Sequence, residues 1–159
     1  MIGYREDGRG HERQRVCTTP LLAVPPTTRL TTVSEAQEGE ALCKYMALRH
    51  PAAYEHMLHV PNGLISTGRH VNALKRQGLK PGVPDYFIAI PVGRYHGLWL
   101  ELKTHNGKVR REQTEWLERL TKQDYACVIA YGWDAARQCI EQYLCGDVDR
   151  LKLKEMVEQ

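Results

Sequence analysis

The sequence predicts one α/β domain built on a mixed central sheet. Apolar residues at helical spacing alternate along the chain with short apolar runs of strand length. Two of those runs, Tyr86 to Ile90 and Leu98 to Lys103, follow one another across a connection between Gly93 and Gly97, so they can pair as a hairpin. A helical stretch then intervenes before the next strand. The resulting order is helix, strand, helix, strand, strand, helix, strand, helix.

Each element has a local reason. Residues 1–33 mix charges with Gly8, Gly10, Pro20, Pro25 and Pro26 and show no period, so a flexible leader or arm is expected there. Ser34 can cap the first helix, with Gln37 completing a capping box. Ala41, Leu42, Tyr45, Met46 and Leu48 supply its buried stripe, and Pro51 follows its end. Residues 55–60 read as a short strand, Pro61-Asn62-Gly63 as a turn, and 69–77 as a polar, basic helix stopped by Gly78. Pro81-Gly82-Val83-Pro84 forces an extended, turning approach to the strand at Tyr86. That strand is apolar on both faces, which suits an interior position. His105-Asn106-Gly107 ends the strand from Leu98. Residues 110–123 form an amphipathic helix with Trp116, Leu117 and Leu120 inward. Tyr125 to Tyr131 is the next strand, and Trp133 to Leu144 a last helix with Ala136, Cys139, Ile140 and Tyr143 inward. The folded domain is thus expected over 34–145, with a charged tail at 146–159.

Composition excludes several classes. The 159 residues suit one domain, and 42% are hydrophobic, enough for a core. No apolar run has the length of a membrane span, and the N-terminus lacks the apolar segment of a secretory signal. Five cysteines with no CxxC pair argue against a disulfide framework or a zinc site and for reduced thiols inside a cell. Cys43, Cys127 and Cys139 are expected as small core residues. The histidines show no metal-ligand spacing. A net charge of +3 permits a nucleic-acid partner without arguing for one.

The chemistry concentrates between Gly82 and Gln113. Strand side chains alternate faces, so Leu98, Leu100 and Leu102 share one side and Trp99, Glu101 and Lys103 the other. Asp85 stands at the mouth of the neighbouring strand and converges on Glu101 if the two strands pair. Converging carboxylates repel unless a cation offsets them. A hard divalent ion, Mg²⁺ or Mn²⁺, needs only one or two carboxylates, a carbonyl such as that of Leu102, and a phosphate oxygen. Such an ion makes water more acidic and offsets charge on a phosphodiester. Lys103 can then orient or polarise the attacking water, and Gln113 can hold that water or Lys103 in place. A third acid is expected from the first helix, Glu35 by first choice and Glu38 as the fallback. Gly82 would let a DNA backbone approach Asp85, while Lys75, Arg76, Lys80, Arg110 and Arg111 would grip phosphates without reading sequence. Taken singly, Pro84-Asp85 is more often a turn and Glu-x-Lys an exposed ion pair. Their occurrence in order on apolar strands, followed by the glutamine, separates the array from both.

Gly82-Val83-Pro84-Asp85, Tyr95 through Lys103, and Gln113 with Trp116-Leu117 closely resemble the virus-type replication-repair nuclease domain, VRR-NUC, of the PD-(D/E)xK superfamily. Ser34-Glu35 with Gln37-Glu38, His59-Val60-Pro61-Asn62-Gly63 and Tyr131-Gly132-Trp133 resemble it too. The resemblance spans about residues 34–145; the leader at 1–33 has no counterpart. It implies a restriction-endonuclease-like core, a mixed central sheet flanked by helices. It also implies a metal-dependent endonuclease with Asp85, Glu101 and Lys103 as the catalytic centre and Gln113 and Glu35 assisting. Stand-alone members are typical of bacteria and bacteriophages, so a bacterial cytoplasmic, phage-encoded setting is implied. Some act on branched DNA, and a four-way junction resolvase would need two sites, hence a homodimer. Rival expectations are a silent nuclease-like DNA-binding module and a sequence-specific restriction enzyme.

Overall fold

The computed structural model describes residues 22–24, 33–61 and 69–146, with side chains over 33–61 and 72–146. Its elements are β1 (Leu22–Val24), α1 (Glu35–Arg49), α2 (Pro51–Tyr54), β2 (Met57–His59), α3 (Arg69–Arg76), β3 (Tyr86–Ile88), β4 (Leu98–Lys103), α4 (Arg111–Thr121), β5 (Ala126–Tyr131) and α5 (Trp133–Leu144). The sheet order is β1-β5-β4-β3-β2. The expected hairpin is present: β3 and β4 are antiparallel, with Tyr86 opposite Leu100. β5 runs parallel to β4, so the sheet is mixed.

Helices cover both faces. Leu98, Leu100 and Leu102 join Val128 and Ala130 against Leu42 and Met46 of α1 and Ala136, Cys139, Ile140 and Tyr143 of α5. On the opposite face Leu117 of α4 packs on Cys127 and Ile129, with Trp99, Leu120 and Tyr131 around them. Glu101 and Lys103 therefore lie beneath a helix and are buried, not merely beside apolar surface.

Several expectations need correction. Leu22–Val24 forms an edge strand parallel to β5, so the leader is not irregular at those residues. The apolar run there is short and its pairing partner lies far along the chain, which leaves no local period to read. Leu48 is 81% exposed. It stands two residues from Met46 and is therefore rotated well off the stripe that Leu42, Tyr45 and Met46 define. Pro51 does follow the end of α1, as expected, and it also starts the short α2 from its first position. Trp116 is half-buried, not core. The turn residues Asn62 and Gly63, most of the leader and the tail from 147 lie outside the described residues.

Candidate active site

Pro84 is fully buried and has no amide hydrogen to donate. Where the β3–β4 ladder would continue past it, the Asp85 side chain takes over: its Oδ2 accepts the Leu102 amide at 3.0 Å. The Asp85 carbonyl accepts the Val60 amide at 2.8 Å. Asp85 is thereby tied to β4 by its side chain and to the β2 end by its backbone. Gly82 approaches α4 so closely that a Cβ would sit 2.7 Å from the Glu112 backbone, and its φ of +79° favours glycine. That contact accounts for the glycine by packing, independently of any ligand.

Glu101 is fully buried. Its Oε1 takes the Lys103 ammonium at 2.5 Å and also the Gln113 side-chain amide. Its Oε2 is buried without a hydrogen-bond partner. Burial, then the charge of Asp85, pushes the Glu101 carboxyl up to about 7. Burial likewise raises Asp85, against the opposing pull of the Leu102 amide and Lys103.

Lys103 is 5% exposed. Besides Glu101, its Nζ reaches Glu35 Oε1 and the Leu102 carbonyl, each at 3.3 Å. Burial opposes its charge, but the hydrogen bond and charge of Glu101, with Asp85 and Glu35, outweigh it and raise the pKa. Lys103 is an ammonium here, suited to orienting and neutralising anions and not to accepting a proton.

The helix acids separate cleanly. Ser34 caps α1 through the Gln37 amide, and Gln37 returns to Ser34 in a capping box. This sets Glu35 on the first turn, where its half-exposed carboxylate meets Lys103. Glu38, one turn on and 4% exposed, accepts the Trp133 amide at 2.8 Å and so caps α5. Gln113 is the third residue of α4; its Oε1 accepts the Arg110 amide at 2.8 Å while its amide group holds Glu101.

The structure thus brings together Asp85, Glu101, Leu102, Lys103, Gln113 and Glu35. Lys75, Arg76, Lys80, Arg110 and Arg111 are exposed, and Arg111 pairs with Glu115 at 2.8 Å. The role of Glu38 at α5 was not foreseen. A signal existed: α5 begins after Gly132, which has no side chain to cap it.

Among the described residues, no three His, Cys, Asp or Glu side chains form a metal-holding group. The donors nonetheless fit a hard ion that keeps its waters. Two raised carboxyls face each other, one buried oxygen lacks a partner, and the Leu102 carbonyl shares the Lys103 ammonium with Glu101.

The profile of the VRR-NUC domain matches residues 32–134. The chain belongs to the VRR-NUC family. All six centre residues fall within the match. A solved VRR-NUC structure, described as a "VRR_NUC domain protein", is 28% identical with a TM-score of 0.64, over 73% of this chain and 92% of that one. None of the curated proteins matches the chain. VRR-NUC membership carries nuclease-type function and a DNA substrate. No described helix is long and apolar enough to cross a membrane.

Proposed function

We propose that this chain is a metal-dependent endonuclease that hydrolyses DNA phosphodiester bonds and selects DNA by shape, four-way junctions first among them. The observation that carries the reading is Glu101: a buried carboxylate with one oxygen unpartnered, beside Asp85 and Lys103.

Asp85, Glu101 and the Leu102 carbonyl would hold a Mg²⁺ or Mn²⁺ ion, with Glu35 at the rim. When bound, that ion supplies an acidified water and charge neutralisation at the phosphate. The chain's own groups do the rest. Gln113 fixes the Glu101 carboxylate, so its orientation does not depend on the lysine alone. Lys103 orients the attacking water and offsets negative charge developing on the phosphate. Lys75, Arg76, Lys80, Arg110 and Arg111 hold flanking phosphates, which binds DNA without sequence preference. A symmetric junction needs paired cuts, so two chains related by a two-fold axis would act together.

The test is cleavage of labelled linear, flapped and four-way DNA, with and without chelator. Cleavage should require a divalent ion and favour branched substrates. Asp85→Ala and Lys103→Ala should each lower the rate on the order of 100-fold or more. Folded variants that cut at the normal rate would overturn the assignment.

A further inference from the structure

We propose that Lys103 is a tethered counter-ion: its ammonium occupies the place beside Glu101 and the Leu102 carbonyl that a divalent ion would take, and when that ion is held it shifts toward Glu35, from where it still reaches the attacking water and the phosphate. The inference rests on the metal-dependent reading of the centre and adds a competition that the reading does not require.

The donor set is shared. The lysine Nζ lies 2.5 Å from Glu101 Oε1 and 3.3 Å from both Glu35 Oε1 and the Leu102 oxygen. Glu101 and the Leu102 carbonyl are two of the four groups expected to ligate the ion. Two cations cannot share them, since like charges a few ångströms apart in a poorly hydrated site repel by several kcal/mol. The charge balance points the same way. Among the described residues Lys103 is the cation that faces Asp85, Glu101 and Glu35, which leaves this group two negative charges in excess when all are ionised.

The surroundings provide for the movement. Gln113 donates to the same Glu101 oxygen that Lys103 contacts, so the carboxylate keeps its orientation after the lysine leaves. Asp85 is held by the Leu102 amide and does not depend on Lys103. Glu35, with a side chain 56% exposed, already touches the ammonium and can receive it nearer to solvent. Glu35 is then a positioning residue for the displaced lysine.

Two measurements on the full chain test this. Calorimetric titration with Mn²⁺ should show Lys103→Met binding about tenfold more tightly than the natural chain. Its melting temperature in EDTA should be lower and should rise more on adding Mn²⁺. Equal or weaker binding would overturn the proposal. The second measurement uses the natural chain, so it stands even if the variant fails to fold. Acetylation of Lys103 by an N-hydroxysuccinimide ester, followed by mass spectrometry, should be slow in EDTA and several-fold faster with Mg²⁺. Ion binding with unchanged Lys103 labelling would overturn this proposal alone. Absence of ion binding together with absence of cleavage would overturn the metal-dependent reading beneath it.

Discussion

At Glu101 a carboxyl with an ordinary value of 4.5 is held at about 7 by burial and by the charge of Asp85. The folded state therefore binds this proton more tightly than the unfolded chain. The stability so gained is fully present below about pH 4.5 and is lost as the pH rises through 7. Asp85, also raised, acts in the same direction. Lys103, raised from 10.5, titrates beyond this window. In chelator the melting temperature should fall by several degrees between pH 5 and pH 8. Glu101→Gln, which cannot ionise, should flatten that fall. A second prediction separates the two helix acids. Glu38→Ala removes the cap of α5 and should cost about 1–2 kcal/mol in denaturant unfolding, with cleavage little changed below the transition. Glu35→Ala should leave stability within about 0.5 kcal/mol and lower cleavage roughly tenfold or more. Strand alternation and the Pro84-Asp85 step made Asp85, Glu101 and Lys103 legible in the sequence. The division of labour between Glu35 and Glu38 was not, because Glu38 meets its partner 95 residues away.

Between elements, the tightest constraint joins α1 to β3. Gly39 lies mid-helix, where glycine ordinarily costs about 1 kcal/mol relative to alanine. It is there because the Tyr86 hydroxyl occupies the space a Cβ would need. Gly39→Ala should therefore destabilise by about 1–3 kcal/mol despite its better helix propensity. Tyr86→Phe in the same chain should recover part of the loss, and chemical denaturation of the single and double variants measures the coupling. The close approach also fixes the start of α1, and with it Glu35, against the strand that presents Asp85. Periodicity revealed α1, β4, α4, β5 and α5 because each has a long apolar pattern. It did not reveal β1, whose three residues pair with β5 across the length of the chain. Nor did it show that α4 would cover Glu101, since amphipathicity gives a helix's apolar side but not the sheet face that receives it.

For the whole molecule, the centre lies where β4 has an antiparallel neighbour on one side and a parallel one on the other. β3 delivers Asp85 from one flank, and the helix leading to β5 delivers Gln113 from the other. The first turn of α1 brings Glu35 to Lys103. Four separate segments thus converge, and loss of tertiary packing anywhere along them would scatter the donors. If junction resolution is the task, the chain should run as a dimer of twice 18.2 kDa in light scattering. A monomer that still resolves junctions with paired, symmetric cuts would exclude that arrangement.

Gln113 carries a consequence for how this protein can change. Its carbamoyl group starts a helix with one end and clasps the buried acid Glu101 with the other. Glutamate would launch the helix equally well, yet it would confront Glu101 with a matching negative charge and offer no hydrogen in return. Position 113 therefore answers to two masters, and a substitution screened for foldability alone would admit variants that chemistry rejects.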